Sequence, residues 1–210
     1  KNDALLRLKE LSKLQAEQNE RLEAEVKERT REINTQKLLI ETKNKETLDS
    51  INYAKRIQTA LIPGEESFVS NFYDAFALWE PKDIVSGDFY WASKVTTTLS
   101  NKENKGLTVF CVGDCTGHGV PGAIISVMGL KLLNLAISNP AINSTSEALD
   151  FLHDQFQKTF QTELNDTVIR DGMDVSICAI DKENNKLYFS GARNGIYIIR
   201  ENEIIELKGD

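Results

Sequence analysis

The chain has 210 residues, 40% hydrophobic and 27% charged, with a net charge of −7. That length suits one mid-sized domain plus an extra segment, and the composition is that of a soluble globular protein. With 32 acidic against 25 basic side chains, nucleic acid is not expected as a main partner, because phosphate backbones need a basic surface.

Lys1 to Ile62 contains no glycine and no proline and is rich in Glu, Lys, Gln and Leu, all good helix formers. One heptad frame runs through it. Its a positions include Leu5, Val26, Ile33, Ile40, Ala54 and Leu61, and its d positions include Leu8, Leu22 and Ile57. Asn19, Arg29 and Lys43 interrupt the seam, which weakens it and can set register or partner number. A single helix of this length reaches roughly 90 Å and cannot bury such a stripe alone. The expectation is a homodimeric parallel coiled coil over residues 1–62, either a plain spacer or a signalling helix. Ile51–Leu61 is denser in apolar residues, and Ile51, Ala54, Ile57, Ala60 and Leu61 predict a face that docks on the next domain as a switch helix.

Pro63–Gly64 ends the helix and opens a second region, 63–210. Tyr73–Trp79, Asp88–Val95, Leu107–Val112, Val175–Ile180, Lys186–Ser190, Gly195–Arg200 and Glu203–Leu207 read as strands. Asn101–Gly106 and Glu183–Asn185 read as hairpin turns. Pro121–Ser138 predicts a helix apolar nearly all round, hence buried. Ser144–Leu164 predicts a second helix opened by a Ser144–Glu147 capping box. Strands, then helices, then strands make an α+β arrangement with two antiparallel sheets flanked by helices.

No apolar run reaches the ~18–20 residues that span a bilayer, and no signal segment opens the chain. The chain begins inside a helical pattern without an initiator methionine. The expectation is a cytoplasmic excerpt of a longer parent, with room upstream for a sensor domain or membrane anchor. Cys111, Cys115 and Cys178 form no disulfide framework, which favours a reducing compartment. Cys111, Cys115 and His118 make a weak zinc set, since no fourth ligand is evident. The plainer reading is a buried strand cysteine followed by a turn cysteine.

Three acidic-glycine motifs carry the chemistry: Ser86–Gly87–Asp88, Gly113–Gly119 (GDCTGHG) and Asp171–Asp174 (DGMD). Each abuts an apolar strand, which would hold a carboxylate rigidly at a sheet edge. Asp88, Asp114 and Asp174 are the candidate ligands; converging carboxylates repel unless divalent cations separate them. Oxygen-only ligation suits Mg²⁺ or Mn²⁺. Two such ions could bridge through Asp114 and acidify a water for attack on a phosphoryl group. Gly87 and Gly117 permit close backbone approach. His118 is either structural or an auxiliary catalytic group. No GxSxG elbow, phosphate loop or HExxH motif competes.

The segments SGDFYW, VGDCTGHGVPGAIISVMG, DGMDVSICAID and YFSGARNGIYII resemble the SpoIIE-like branch of the metal-dependent Ser/Thr protein phosphatases, the protein phosphatase 2C superfamily. The likeness spans about Phe68 to Asp210. It implies an αββα sandwich and two Mn²⁺ or Mg²⁺ ions, with room for a third. By resemblance, Asp88 and Asp114 match metal-binding aspartates and the backbone carbonyl of Cys115 matches a carbonyl ligand. Asp174 matches an aspartate tied to an additional, labile metal or to activity. Arg193–Asn194 receives no chemistry. The implied substrate is phosphoserine or phosphothreonine on a bacterial regulatory protein of the anti-sigma-factor antagonist type, with a helix ahead of the domain as activating switch.

The pattern departs from the family at Gly209–Asp210, where relatives continue to a TDG-like motif with another metal-binding aspartate. The sandwich is therefore expected to be C-terminally incomplete, and this exact chain weakly active or inactive. Two other readings compete: a catalytically impaired phosphatase-fold module that signals by dimeric docking, and a coiled-coil scaffold carrying a passenger domain.

Overall fold

The computed structural model describes residues 2–64, 70–100, 103–161 and 171–210. The fold is α+β, with a long N-terminal helix and two antiparallel sheets. The chain divides into two units, Lys1–Ser50 and Ile51–Asp210.

Helix α1 runs from Asn2 to Leu61, and the first unit takes it as far as Ser50. Exposed pairs such as Arg29–Glu25, Lys37–Glu41 and Lys43–Glu46 follow the helix, each contributing about 0.3–0.5 kcal/mol. The heptad residues Leu5, Leu8, Val26, Ile33 and Ile40 stand exposed along it.

The last turns of α1 belong to the second unit. Here the docked stripe differs from the one the apolar pattern predicts. Gln58 and Ile62 are buried, Ile51 and Ala54 half-buried, while Ile57, Ala60 and Leu61 face outward. The spacing 51, 54, 58, 62 is a regular helix face, and its centre is a glutamine. An apolar count passes over that residue, because its burial depends on partners elsewhere in the chain.

The main sheet has the order β1 (Phe89–Ser100), β2 (Glu103–Cys115), β3 (Met173–Asp181), β4 (Lys186–Ala192), all antiparallel. Helices α2 (Gly119–Ser138) and α3 (Thr145–Gln161) connect β2 to β3. A smaller hairpin pairs β5 (Ile196–Arg200) with β6 (Glu203–Leu207). Side-chain alternation sends Phe89, Trp91, Val109, Cys111, Val175 and Ile177 into a core shared with Leu130, Leu133, Ala136 and Leu152 of α2 and α3. Burying a side chain of that size is worth about 1.5–3 kcal/mol. By length and composition alone α2 is apolar enough to cross a membrane, yet half of that window is buried inside the fold. Its all-round apolarity reflects a core position.

Ser144 caps α3 as expected: its Oγ accepts from Glu147 N at 3.1 Å, and the Glu147 carboxylate reaches back to Asn143 N at 2.7 Å. The expected extension to Leu164 lies outside the described residues, as do Asn101 and Lys102 of the first hairpin turn. The second turn bends at Asn185, whose φ is +53°.

One strand expectation fails. Residues 73–79 have no ladder partner among the described residues and run irregularly, with Tyr73, Phe76 and Leu78 well exposed. Their aromatic character suits a pleated surface, but a strand needs a neighbour for its backbone groups. The segment is held instead by side chains. Trp79 Nε1 donates to Asp88 O at 2.9 Å, and Phe72 meets Phe110 edge-on at 5.6 Å.

Candidate metal centre

The register of the main sheet assembles the acidic row. Phe89 pairs with Gly113, Gly113 with Val175, and Asp114 with Asp174. Asp88, one residue before Phe89, therefore stands beside Asp114 at the end of the sheet. Directly opposed residues share a face, so the same alternation that buries Phe89, Gly113 and Val175 turns Asp88, Asp114 and Asp174 to the other side. Three motifs spread over 87 residues of sequence meet because one register carries all of them.

The register thus makes Asp88 and Asp114 neighbours on the same face of the sheet. Partial burial raises the Asp88 carboxyl above its ordinary value, and the Asp114 carboxyl beside it raises it further. Two carboxylates in that position repel when both are ionised, and a cation between them removes the conflict. Asp174 is next in the row, but its Oδ1 lies 3.9 Å from Arg193 Nη1. Among the described residues, no group of three or more His, Cys, Asp or Glu side chains converges on one point. The geometry thus joins Asp88 and Asp114 closely and leaves Asp174 alongside.

The backbone supplies further oxygens. A Cβ on Gly87 would sit 2.7 Å from Gly117 O and 3.0 Å from Cys115 O, so only glycine lets the turn before Asp88 approach both carbonyls. Gly117 needs its freedom for another reason, a φ of +86°. Thr116 anchors this turn: its N donates to Gly172 O at 2.9 Å, and its Oγ1 accepts from Gly172 N at 2.9 Å. Carboxylate and carbonyl oxygens are the donor set of Mg²⁺ and Mn²⁺, and the residues present fit such an ion.

The thiols do not fit zinc. Cys111, Cys115 and Cys178 are buried. Burial, with Asp114 and Asp88 nearby, pushes Cys115 up to about 12, and burial alone pushes Cys178 to about 12. Among the described residues they join no group of three or more His, Cys, Asp or Glu side chains that could hold the ion. His118 is the N-cap residue of α2 without a side-chain capping bond. Its Nδ1 meets Asp83 Oδ2 at 2.8 Å. Sequence reasoning passed over Asp83, which lies 35 residues away and in no motif.

Gln58 was also missed. Its Nε2 donates to Ser86 O and to Ser126 Oγ, and its Oε1 accepts from Ser86 N at 3.1 Å. Ser86 Oγ in turn accepts from Asp88 N at 3.1 Å. The end of α1 is thereby bonded to the turn that carries the first aspartate.

Residues 104–209, just over half of the chain, match the family of stage II sporulation protein E (SpoIIE). The chain belongs to the SpoIIE family. The SiaA-PP2C domain of Pseudomonas aeruginosa is similar at 27% identity and a TM-score of 0.62, over 79% of this chain and 61% of that one. This chain thus spans less than two thirds of that domain. The PP2C phosphatase domain of SpoIIE from Bacillus subtilis, with a fragment of its regulatory domain, is similar at 17% identity and a TM-score of 0.41, over 60% of this chain and 32% of that one. The PPM Ser-Thr phosphatase MsPP from Mycobacterium smegmatis is similar at 17% identity and a TM-score of 0.36, over 58% of this chain and 52% of that one. Among curated proteins, none matches. The SpoIIE-family fold is that of a PP2C-type phosphatase, a class that depends on Mn²⁺ or Mg²⁺.

Proposed function

We propose that the chain is a metal-dependent protein Ser/Thr phosphatase acting on phosphoserine or phosphothreonine of a regulatory protein of the anti-sigma-factor antagonist type. The observation that carries this reading is the ladder register that sets Asp88 beside Asp114, and Asp114 opposite Asp174, at one sheet edge. Bound there, divalent ions supply charge neutralisation for phosphoryl oxygens and acidify an attacking water. The chain's own residues do the rest. Asp88 and Asp114 hold the cations, with the Cys115 carbonyl as a third donor and Asp174 available to an additional ion. Gly87 and Gly117 keep the two turns close enough for these oxygens to act together. No side chain serves as a nucleophile in this reading.

Control by the N-terminal helix is part of the proposal. The exposed heptad residues of α1 support a homodimeric coiled coil, which an upstream sensor domain would drive. Gln58 links the helix to Asp88 through Ser86, so a shift of the helix end reaches the metal turn within two hydrogen bonds. The test is Mn²⁺ titration by calorimetry together with hydrolysis of a phosphoserine peptide. Asp114→Asn should abolish both Mn²⁺ binding and any turnover. Mn²⁺ binding that survives Asp114→Asn unchanged would falsify the site.

A second reading is a catalytically impaired docking module. It is favoured by the absence, among the described residues, of three converging ligand side chains. Mn²⁺ bound with turnover supports the enzyme; a chain that binds partners but no Mn²⁺ supports the module.

A further inference from the structure

The acidic row does not stop at Asp174. Val175 pairs with Ala192 in the β3–β4 ladder, so Arg193 follows as the fourth position at the same sheet edge, after Asp88, Asp114 and Asp174. Its Nη1 lies 3.9 Å from Asp174 Oδ1, and its side chain is 80% exposed. At about 4.8 Å per strand, its Cα stands roughly 10 Å from that of Asp114, within the combined reach of an extended guanidinium and a phosphoryl group.

Neither the backbone nor the ion pair accounts for an arginine here. Its φ is +62°, a left-handed conformation that costs a residue with a Cβ roughly 1–2 kcal/mol and that glycine or asparagine would take more easily. A long, exposed pair contributes little to stability. The conformation is nevertheless firmly held. Arg193 N donates to Asp210 O at 2.9 Å, Asn194 N donates to Ala192 O at 2.8 Å, and Asn194 Nδ2 donates to Asp174 O at 3.1 Å. Ser176 Oγ donates to Asn194 O at 2.9 Å. The β4–β5 turn is fixed at its backbone while its cationic head stays in solvent.

We propose that Arg193 is a phosphate-binding residue, the guanidinium that receives the dianionic phosphoryl group of the substrate beside the Asp88–Asp114 pair; this rests on the phosphatase reading above. A planar guanidinium presents paired N–H donors that match two phosphoryl oxygens. In the substrate-free state Asp174 occupies that guanidinium loosely. When phosphate binds, Arg193 exchanges Asp174 for the phosphoryl oxygens, and the Asp174 carboxylate is released.

The test uses the whole chain with inorganic phosphate as the probe, titrated calorimetrically at saturating Mg²⁺. Mg²⁺ affinity is measured separately without phosphate. Arg193→Ala should weaken phosphate binding about tenfold and leave Mg²⁺ affinity within about twofold. Arg193→Lys should recover part of the loss, because it keeps the charge without the fork. Unchanged phosphate affinity in Arg193→Ala with Mg²⁺ binding intact overturns the proposal alone. Should Arg193→Ala fail to fold, Arg193→Asn decides, because asparagine tolerates the left-handed φ of +62°, and unchanged phosphate affinity there with Mg²⁺ binding intact overturns it. A parent chain that binds no Mg²⁺ overturns the phosphatase reading and the arginine's role with it.

Discussion

Replacing Gln58 with leucine keeps the helix propensity and most of the volume while deleting three hydrogen bonds. Gln58 is 1% exposed, so water does not replace those bonds freely. Ser86 N loses its only named partner, whereas Ser86 O keeps Ser126 Oγ at 3.2 Å. Losing three buried bonds at about 1 kcal/mol each, the one to the orphaned Ser86 N–H included, gives a cost of about 3 kcal/mol. Burial of the leucine offsets about 1 kcal/mol, leaving about 2 kcal/mol. With a urea slope of about 2 kcal/mol/M for a domain of this size, the unfolding midpoint should fall by about 1 M. Ile57→Ala is the control: Ile57 is 46% exposed and should cost well under 1 kcal/mol. If the two variants unfold at the same urea concentration, the assignment of Gln58 as the helix's buried anchor is wrong. Amide exchange at residues 86–88 should also quicken in Gln58→Leu and not in Ile57→Ala.

Gly87→Ala forces a Cβ against two backbone carbonyls and should destabilise the domain by more than about 2 kcal/mol with loss of Mn²⁺ binding, read by thermal melting and calorimetry. Gly117→Ala meets nothing within 4 Å, so only its φ of +86° counts, and a loss of about 1 kcal/mol is expected. In EDTA, the raised Asp88 carboxyl contributes stability below its ordinary pKa that is lost as pH rises through the raised value. Asp114→Asn removes the neighbouring carboxyl and should flatten that part of the stability–pH curve; identical curves for the two proteins would refute the pairing. Cys115 and Cys178, pushed up to about 12, should resist alkylation at pH 7.5 in the folded protein and react rapidly in urea, whereas fast labelling of native protein would contradict their burial.

The sequence made the sheet edge legible because its three motifs each combine a strand end with a carboxylate, and strand patterning needs only local information. Six strands fell near their expected places, although β1 and β2 run further into Thr96–Ser100 and Glu103–Lys105 than apolar alternation suggests. Thr97 and Leu99 are buried in that stretch of β1, and the pairs Thr96–Gly106, Thr97–Lys105 and Ser100–Glu103 carry the two strands on together. Tyr73–Trp79 failed as a strand because its strand-like residues have no ladder partner among the described residues. Gln58 and Asp83 escaped notice, and Arg193 received no chemistry, because each is placed by a residue that is distant in sequence. A polar side chain on a helix face looks like solvent-facing decoration until Ser86 and Ser126 are known to lie beneath it. Arg193 acquires interest only through the register that sets it beside Asp174.

The irregularity in the β1–β2 ladder sits between Thr97 and Ser100, at the opposite end of the hairpin from Asp88 and Asp114. From Phe89 to Thr97 the pairing is unbroken. Residues gained or lost at the hairpin tip can therefore be absorbed there without rotating a single carboxylate toward the helices, whereas one residue inserted between Phe89 and Val95 would invert the face on which Asp88 emerges. The tip is the place to graft a tag or a fluorophore, and the stem must keep its count.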